Sequence, residues 1–339
     1  MAVRTLIVDD SPTMRALIAG MLSRDPDIEV VGAANGPHQA REMIKALDPD
    51  VITLDVEMPD MNGLDFLERV MRLRPMPVVM LSTLTQAGAD TTIRALELGA
   101  VECCAKPAAN CLDPRLAESV KAAASSRRIR VRDMSAPPAP VAAANFTPRA
   151  GSLIAIGAST GGVEALIQVL SGFPANCPPT VIVQHMPATF TTSFAARLDR
   201  LSKPTVAEAR HGQPLLPGHV YLAPGGTHHL EVGGTEGQYR ARLIPDDPMS
   251  GHRPSVDRLF HSVAKNVGDK AVGAILTGMG RDGADGLLAM RRKGSFTVGQ
   301  DQDSCVVYGM PGVAQEVGAV TKQLTLTRVA PAIIERCRA

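Results

Sequence analysis

Two stretches of this chain alternate short apolar runs with amphipathic segments, and an interruption over residues 123–150 separates them. That punctuation limits the fold more than any other feature. The interruption carries Ser125-Ser126, the basic cluster Arg127-Arg128-Ile129-Arg130-Val131-Arg132 and an Ala/Pro-rich run ending at Pro148. Little of it is apolar with any period, and its prolines extend neither a helix nor a sheet. It is expected to be a linker that begins in the last turn of a helix. Its basic cluster reads as a solvated face, with a docking patch as the other reading.

Before the linker, apolar runs at 5–8, 29–33, 51–54, 78–81 and 101–105 predict strands, separated by amphipathic stretches such as 14–22 and 63–73. Five strands alternating with helices predict a small doubly wound parallel sheet over residues 1–122. After the linker, runs at 153–156, 180–184, 272–277 and 296–300 predict further buried strands. A turn-rich insert at 204–244 is expected to form a meander or hairpins. Residues 151–339 thus predict a second, larger α/β domain with a β-rich insert, as a length of 339 residues allows.

Composition narrows the function. Lys plus Arg is 35 against 34 Asp plus Glu, which speaks against nucleic acid or an anionic membrane as the partner. With aromatics at 3 % and no Trp, base-stacking platforms are not expected. No apolar run approaches the roughly 18 residues of a membrane span, and the N-terminal residues lack the pattern of a secretory signal. The six cysteines show no Cys-x-x-Cys pairing, and adjacent Cys103 and Cys104 would face opposite sides of a strand. A cytoplasmic protein with reduced thiols is expected.

In a parallel sheet, residues just past the C-terminal strand ends meet in one crevice. Asp9 and Asp10 follow the first predicted strand and Asp55 the third, with Ser82 ending the fourth and Lys106 just past the fifth. Carboxylates so close need compensation, and Mg²⁺ suits a few acids that leave room for a phosphoryl group. Asp55 is then placed to take a phosphoryl group as an aspartyl phosphate. The text LIVDDSPTMR, ITLDVEMPDMNGLDFL, VVMLST and Lys106-Pro107 resembles a two-component receiver domain of flavodoxin-like fold. The resemblance implies Asp55 as phosphoacceptor and Asp9 and Asp10 as the metal-binding acids, with the Glu57 carbonyl as a further ligand. It implies Ser82 and Lys106 as phosphoryl contacts and a histidine kinase as the donor. Lys106-Pro107 is a candidate cis bond. Cys103-Cys104 departs from the pattern, since receivers often carry an aromatic there.

Past the linker, Gly157-Ala158-Ser159-Thr160-Gly161 has the spacing of a nucleophile elbow, although Gly-Ser-Thr-rich strand ends also cradle phosphates. Of eight histidines, His185 directly follows a buried strand and is the candidate base, and Asp282, past the strand at 272–277, is the candidate acid. Gly278-x-Gly280-x-x-Gly283 with Asp301 also fits a dinucleotide fingerprint, but Asp282 would stand inside it and repel a pyrophosphate.

The segments IGASTGG, QHMPATFTTSFAARL, YLAPGGTHH, HRPSVDRLF, LTGMGRDGADG and CVVYGMP closely resemble the chemotaxis protein-glutamate methylesterase (CheB) family. The resemblance implies a Ser159–His185–Asp282 triad without a cofactor, the Met279 amide as oxyanion donor, and Thr160, His252 and Arg253 on the rim. It implies hydrolysis of glutamate γ-methyl esters on chemoreceptors, with deamidation of receptor glutamines as a second activity. The unphosphorylated receiver is expected to cover the Ser159 rim. A DNA-binding output domain and a dinucleotide-dependent enzyme are the competing readings.

Overall fold

The computed structural model describes residues 2–59, 61–83, 86–107, 115–126 and 146–339. The chain divides into two compact units, Met1–Asp133 and Met134–Ala339. The basic cluster from Arg127 on and the Ala/Pro-rich run up to residue 145 lie outside the described residues, as does Cys111.

The first unit runs β1 (Val3–Val8), α1 (Pro12–Leu22), β2 (Ile28–Ala34), α2 (Pro37–Leu47), β3 (Val51–Asp55), α3 (Gly63–Leu73), β4 (Val78–Ser82), α4 (Gln86–Glu97), β5 (Glu102–Ala105) and α5 (Arg115–Ser125). Its strands lie in the order β2-β1-β3-β4-β5, all parallel. β3 and β4 are buried along their whole length, as a sheet covered on both faces requires. Helix starts follow local chemistry: Ser11 and Asn62 cap α1 and α3 by accepting from the Met14 and Asp65 amides. Cys103 Sγ reaches Thr92 on α4 and Cys104 Sγ reaches Ser119 on α5, on opposite faces as alternation demands.

The second unit holds β6 (Leu153–Ala158), α6 (Gly162–Ser171), β7 (Thr180–Gln184), α7 (Ala188–Leu201), β8 (Thr205–Glu208), β9 (His219–Leu222), β10 (His229–Gly233), β11 (Arg240–Ile244) and α8 (Val256–Asn266). It continues through β12 (Ala271–Ile275), α9 (Ala284–Arg292), β13 (Phe296–Gln300), α10 (Met310–Glu316), β14 (Lys322–Leu324) and α11 (Leu326–Arg336). Seven parallel strands form one sheet in the order β14-β13-β12-β6-β7-β9-β8. Leu153, Ala155, Val181 and Val183 pack on one face with Leu259, Phe260, Leu287 and Met290 of α8 and α9. Ile154, Ile156 and Ile182 alternate with them and are fully buried on the other face. Each of these side chains larger than alanine stabilises the fold by about 1.5–3 kcal/mol.

The insert differs from the expected meander or hairpins. β8 and β9 join the main sheet in parallel, and only β10–β11 is an antiparallel hairpin. Parallel neighbours usually need a helical crossover of a dozen or more residues, and the short segment between β8 and β9 carries no helix, so its turn residues mimic a meander. The hairpin packs over α8, where Ser262 Oγ accepts from the Val232 amide at 2.9 Å. The strand expected at 272–277 stops at Ile275, because Thr277 turns into the site described below. Residues 146–149 are tied to the C-terminus through Arg149 N to Cys337 O (2.7 Å) and Ala339 N to Thr147 O (3.0 Å). No helix among the described residues is long and apolar enough to cross a membrane.

Candidate active site

The second sheet begins at β6, in its middle, and the chain builds outward from there in both directions. Such a switch point opens a crevice at the carboxyl ends of the central strands. Three of the sequence candidates stand there on adjacent strands: Ser159 after β6, His185 after β7 and Asp282 after β12.

Ser159 sits on a sharp turn. Its amide donates to Thr277 O (3.0 Å), and its carbonyl accepts from Gly162 N (2.7 Å) and from Gln184 Nε2 (2.9 Å). The turn needs Gly161 at φ +77°, where a Cβ would also stand 2.6 Å from Val306. Gln184 Nε2 also reaches His185 O (3.1 Å), so one buried amide ties the backbones of the nucleophile and base candidates together.

His185, with a side chain 8 % exposed, donates from Nε2 to Asp282 Oδ2 at 2.8 Å. That leaves Nδ1 buried without a hydrogen-bond partner, so Nδ1 is the nitrogen free to take a proton. No hydrogen bond joins Ser159 to His185 among the described residues; such bonds are often loose before substrate binds. His252 stacks flat on the His185 ring, with centroids 3.7 Å apart and planes 5° apart. It is carried by a tight turn through Ser250 and Gly251, both at positive φ.

Sequence reasoning did not anticipate what surrounds Asp282. Its Oδ1 accepts from Ser255 Oγ (2.8 Å) and the Asp257 amide (3.0 Å), and its Oδ2 accepts from the Val256 amide (2.7 Å) besides His185. The carboxylate therefore seats on the N-terminus of α8, where amides and the helix dipole favour negative charge. Burial pushes its pKa up, but the His185 bond and charge and the two amides outweigh this and hold it down at about 2. Asp257 returns the favour, accepting from Gly286 N in the first turn of α9 at 2.7 Å. The fingerprint glycines thus lead into a helix N-terminus already occupied by a carboxylate, which leaves no place for a pyrophosphate. The only sequence signal for this arrangement was Ser255 at a helix start with an acid two residues on.

Of the remaining candidates, Thr160 is buried, and its carbonyl accepts from Thr277 Oγ1 at 3.0 Å. The Met279 amide has no protein partner among the described residues, while its neighbour Gly278 is pinned by Val307 O, Gly309 N and Met310 N. Arg253 spends its guanidinium on Gly226 O (2.7 Å) and Asp246 O (2.9 Å), clamping two loops together.

In the first unit, ligand atoms of Asp9, Asp10 and Asp55 lie within 4.8 Å of one another. Asp9 Oδ2 is buried without a hydrogen-bond partner, as a carboxylate awaiting a cation would be. Lys106 Nζ lies 2.7 Å from Asp55 and 3.7 Å from Asp9. Burial raises the pKa of both acids, with Lys106 and local amides offsetting part of the rise. The Glu57 amide donates to Asp55 Oδ1 (3.0 Å), and Ser82 ends β4 beside Lys106, whose amide donates to Ser82 O (2.9 Å). The expected cis bond at Lys106-Pro107 is absent; among the described residues only Arg253-Pro254 is cis. Trans is the lower-energy form before proline, and Lys106 reaches Asp55 without the switch.

An acid pocket on a flavodoxin-like sheet, joined to an α/β sheet with Ser, His and Asp at its switch point, defines a response regulator with a hydrolase-type output domain. The response regulator receiver model matches residues 5–116, and the CheB methylesterase model matches residues 154–333. The chain is 62 % identical over 337 residues to protein-glutamate methylesterase/protein-glutamine glutaminase 1 of Caulobacter vibrioides, covering 98 % of this chain and 97 % of that one. It is 56 % identical to the protein-glutamate methylesterase/protein-glutamine glutaminase of Agrobacterium fabrum, covering 98 % and 96 %. The Thermotoga maritima CheB methylesterase catalytic domain superposes with a TM-score of 0.53 at 38 % identity, covering 55 % of this chain and 99 % of that one. The chain belongs to the CheB methylesterase family.

Proposed function

We propose that this chain is a phosphorylation-regulated protein-glutamate methylesterase with glutamine deamidase activity, acting on chemoreceptors in the cytoplasm. The observation that carries the reading is the placement of Ser159, His185 and Asp282 on three adjacent strand ends, with His185 and Asp282 2.8 Å apart.

His185 Nδ1 takes the Ser159 proton as Oγ attacks the γ-carbonyl of a glutamate methyl ester. The open Met279 amide donates to the oxyanion of the tetrahedral intermediate. The C–O bond to methoxide then breaks, and the proton on Nδ1 leaves with it as methanol. Water, deprotonated by the same nitrogen, hydrolyses the glutamyl-serine ester. A glutamine side chain presents the same carbonyl and would release ammonia instead. Asp282 keeps Nε2 protonated, so that Nδ1 stays the basic nitrogen throughout.

In the receiver, residues 1–122, Asp55 takes a phosphoryl group from a chemotaxis histidine kinase, and Ser82 and Lys106 contact it. Asp9, Asp10, Asp55 and the Glu57 carbonyl would hold Mg²⁺, which when bound neutralises the charge gathering on the phosphoryl oxygens. Residues 123–150 link this unit to the methylesterase domain, 151–339, and phosphorylation relieves a restraint on it. Methanol release from methylated receptor membranes, with and without a small phosphodonor, tests the whole reading. Release that Ser159→Ala abolishes and the phosphodonor accelerates is expected; release that survives Ser159→Ala overturns it.

A further inference from the structure

A buried line of hydrogen bonds reaches the triad from behind. The Ser255 amide donates to His229 Nδ1 at 3.1 Å, and His229 Nε2 donates to Asp247 O at 2.9 Å. An amide can only donate and a carbonyl can only accept, so His229 is held as the neutral Nε2–H tautomer. It is 1 % exposed, and Ser255 is fully buried. Ser255 Oγ then donates to Asp282 Oδ1 at 2.8 Å and accepts from the Arg258 amide at 3.3 Å. The hydroxyl proton has one place to go, because its oxygen is already an acceptor and the adjacent carboxylate is ionised.

From this geometry we infer that Ser255, locked in place by His229, is a positioning residue for the esterase reaction, and the inference rests on the triad reading above. Its hydroxyl proton withdraws part of the charge of Asp282 from the face that holds His185. With that proton present, Asp282 orients the imidazole without holding its second proton too tightly. Without it, the carboxylate is a stronger acceptor, the imidazolium is favoured, and His185 gives up its proton to methoxide less readily. Two other titratable groups face the pair. His252 stacks on His185 from the 249–252 turn, and Asp257 on α8 faces Gly286 close by Asp282. Arg281 and Asp285 pair with each other at the surface. None of these replaces the Ser255 donor.

The test compares full-length wild type, Ser255→Ala, Ser255→Thr and Ser159→Ala in methanol release from methylated receptor membranes across pH, at constant phosphodonor. Ser255→Ala should lower kcat about tenfold or more with KM unchanged. It should move the acid limb of the rate profile to higher pH by about half a unit or more. The His185 Nε2–H proton resonance should shift, and Ser255→Thr should restore all three readouts. A Ser255→Ala protein that is only less stable, with wild-type kcat, acid limb and resonance, makes Ser255 a helix cap and overturns the inference. Activity that survives in Ser159→Ala overturns the triad reading instead, and the inference with it.

Discussion

Asp282 answers to two masters, and that changes what a substitution there reports. Each of its oxygens faces an obligate backbone N–H donor, Val256 on one side and Asp257 on the other, and Oδ2 also accepts from His185. An asparagine would set its own NH₂ group against one of them. Asp282→Asn is therefore expected to cost on the order of 10⁴ in rate and also about 1–3 kcal/mol in stability, read by urea unfolding at neutral pH. The sign of its pH dependence follows from the depressed pKa. Asp282 titrates at about 2 in the fold, against about 3.9 in an unfolded chain. Its contribution is complete above roughly pH 4 and fades as pH falls towards 2, so the stability gap between wild type and Asp282→Asn should narrow over that window. Ser159→Ala disturbs none of these bonds and isolates the chemistry. Gly278 is a second sensitive point, since a Cβ there would lie 2.7 Å from Ser159 Cβ and 2.4 Å from Met310 Sδ. Gly278→Ala should abolish methanol release while leaving Asp55 labelling intact. Ser159, His185 and Asp282 were legible in the sequence because each directly follows or closely trails an apolar run that can only be a buried strand. Gln184, Ser255 and His229 were not, because their roles depend on backbone groups that a side-chain pattern does not display.

At the scale of elements, α8 and α9 exchange acids. Asp282, ahead of α9, caps α8, and Asp257, in the first turn of α8, binds the Gly286 amide of α9. Two short helices thereby fix each other's starting points, and the triad acid inherits its position from that exchange. Asp257→Ala should lower stability by about 1–3 kcal/mol and lower the esterase rate as well, with Asp257→Asn milder because its carbonyl can still accept. Circular dichroism melts beside methanol release check this; a destabilised variant with an unchanged rate at low temperature would uncouple the exchange from the site. Central strands such as β3, β4, β6, β7 and β12 were readable from unbroken apolar runs. β8 and β9 were not, since β8 alternates like a hairpin strand and only the parallel pairing of β8 with β9, and of β9 with β7, reveals their direction.

For the whole molecule, the prediction is a dependence of the second unit's output on the chemistry of the first. With Mg²⁺ and a small phosphodonor, Asp55 should be the one residue labelled, and Asp55→Asn or chelation of the cation should remove both the labelling and the gain in methanol release. Labelling that persists in either case would dissociate the acid pocket from phosphoryl transfer. The division into two compact units was legible from the break in alternation, while the ties of residues 146–149 to the C-terminus join segments far apart in sequence. The shared duty of Asp282 also bears on descent. A lineage that gave up ester hydrolysis while keeping this domain as a scaffold would be free to change Ser159 and His185. It would still keep the aspartate, whose loss would loosen the anchorage of α8. Such a chain would retain an acid that no longer serves a reaction.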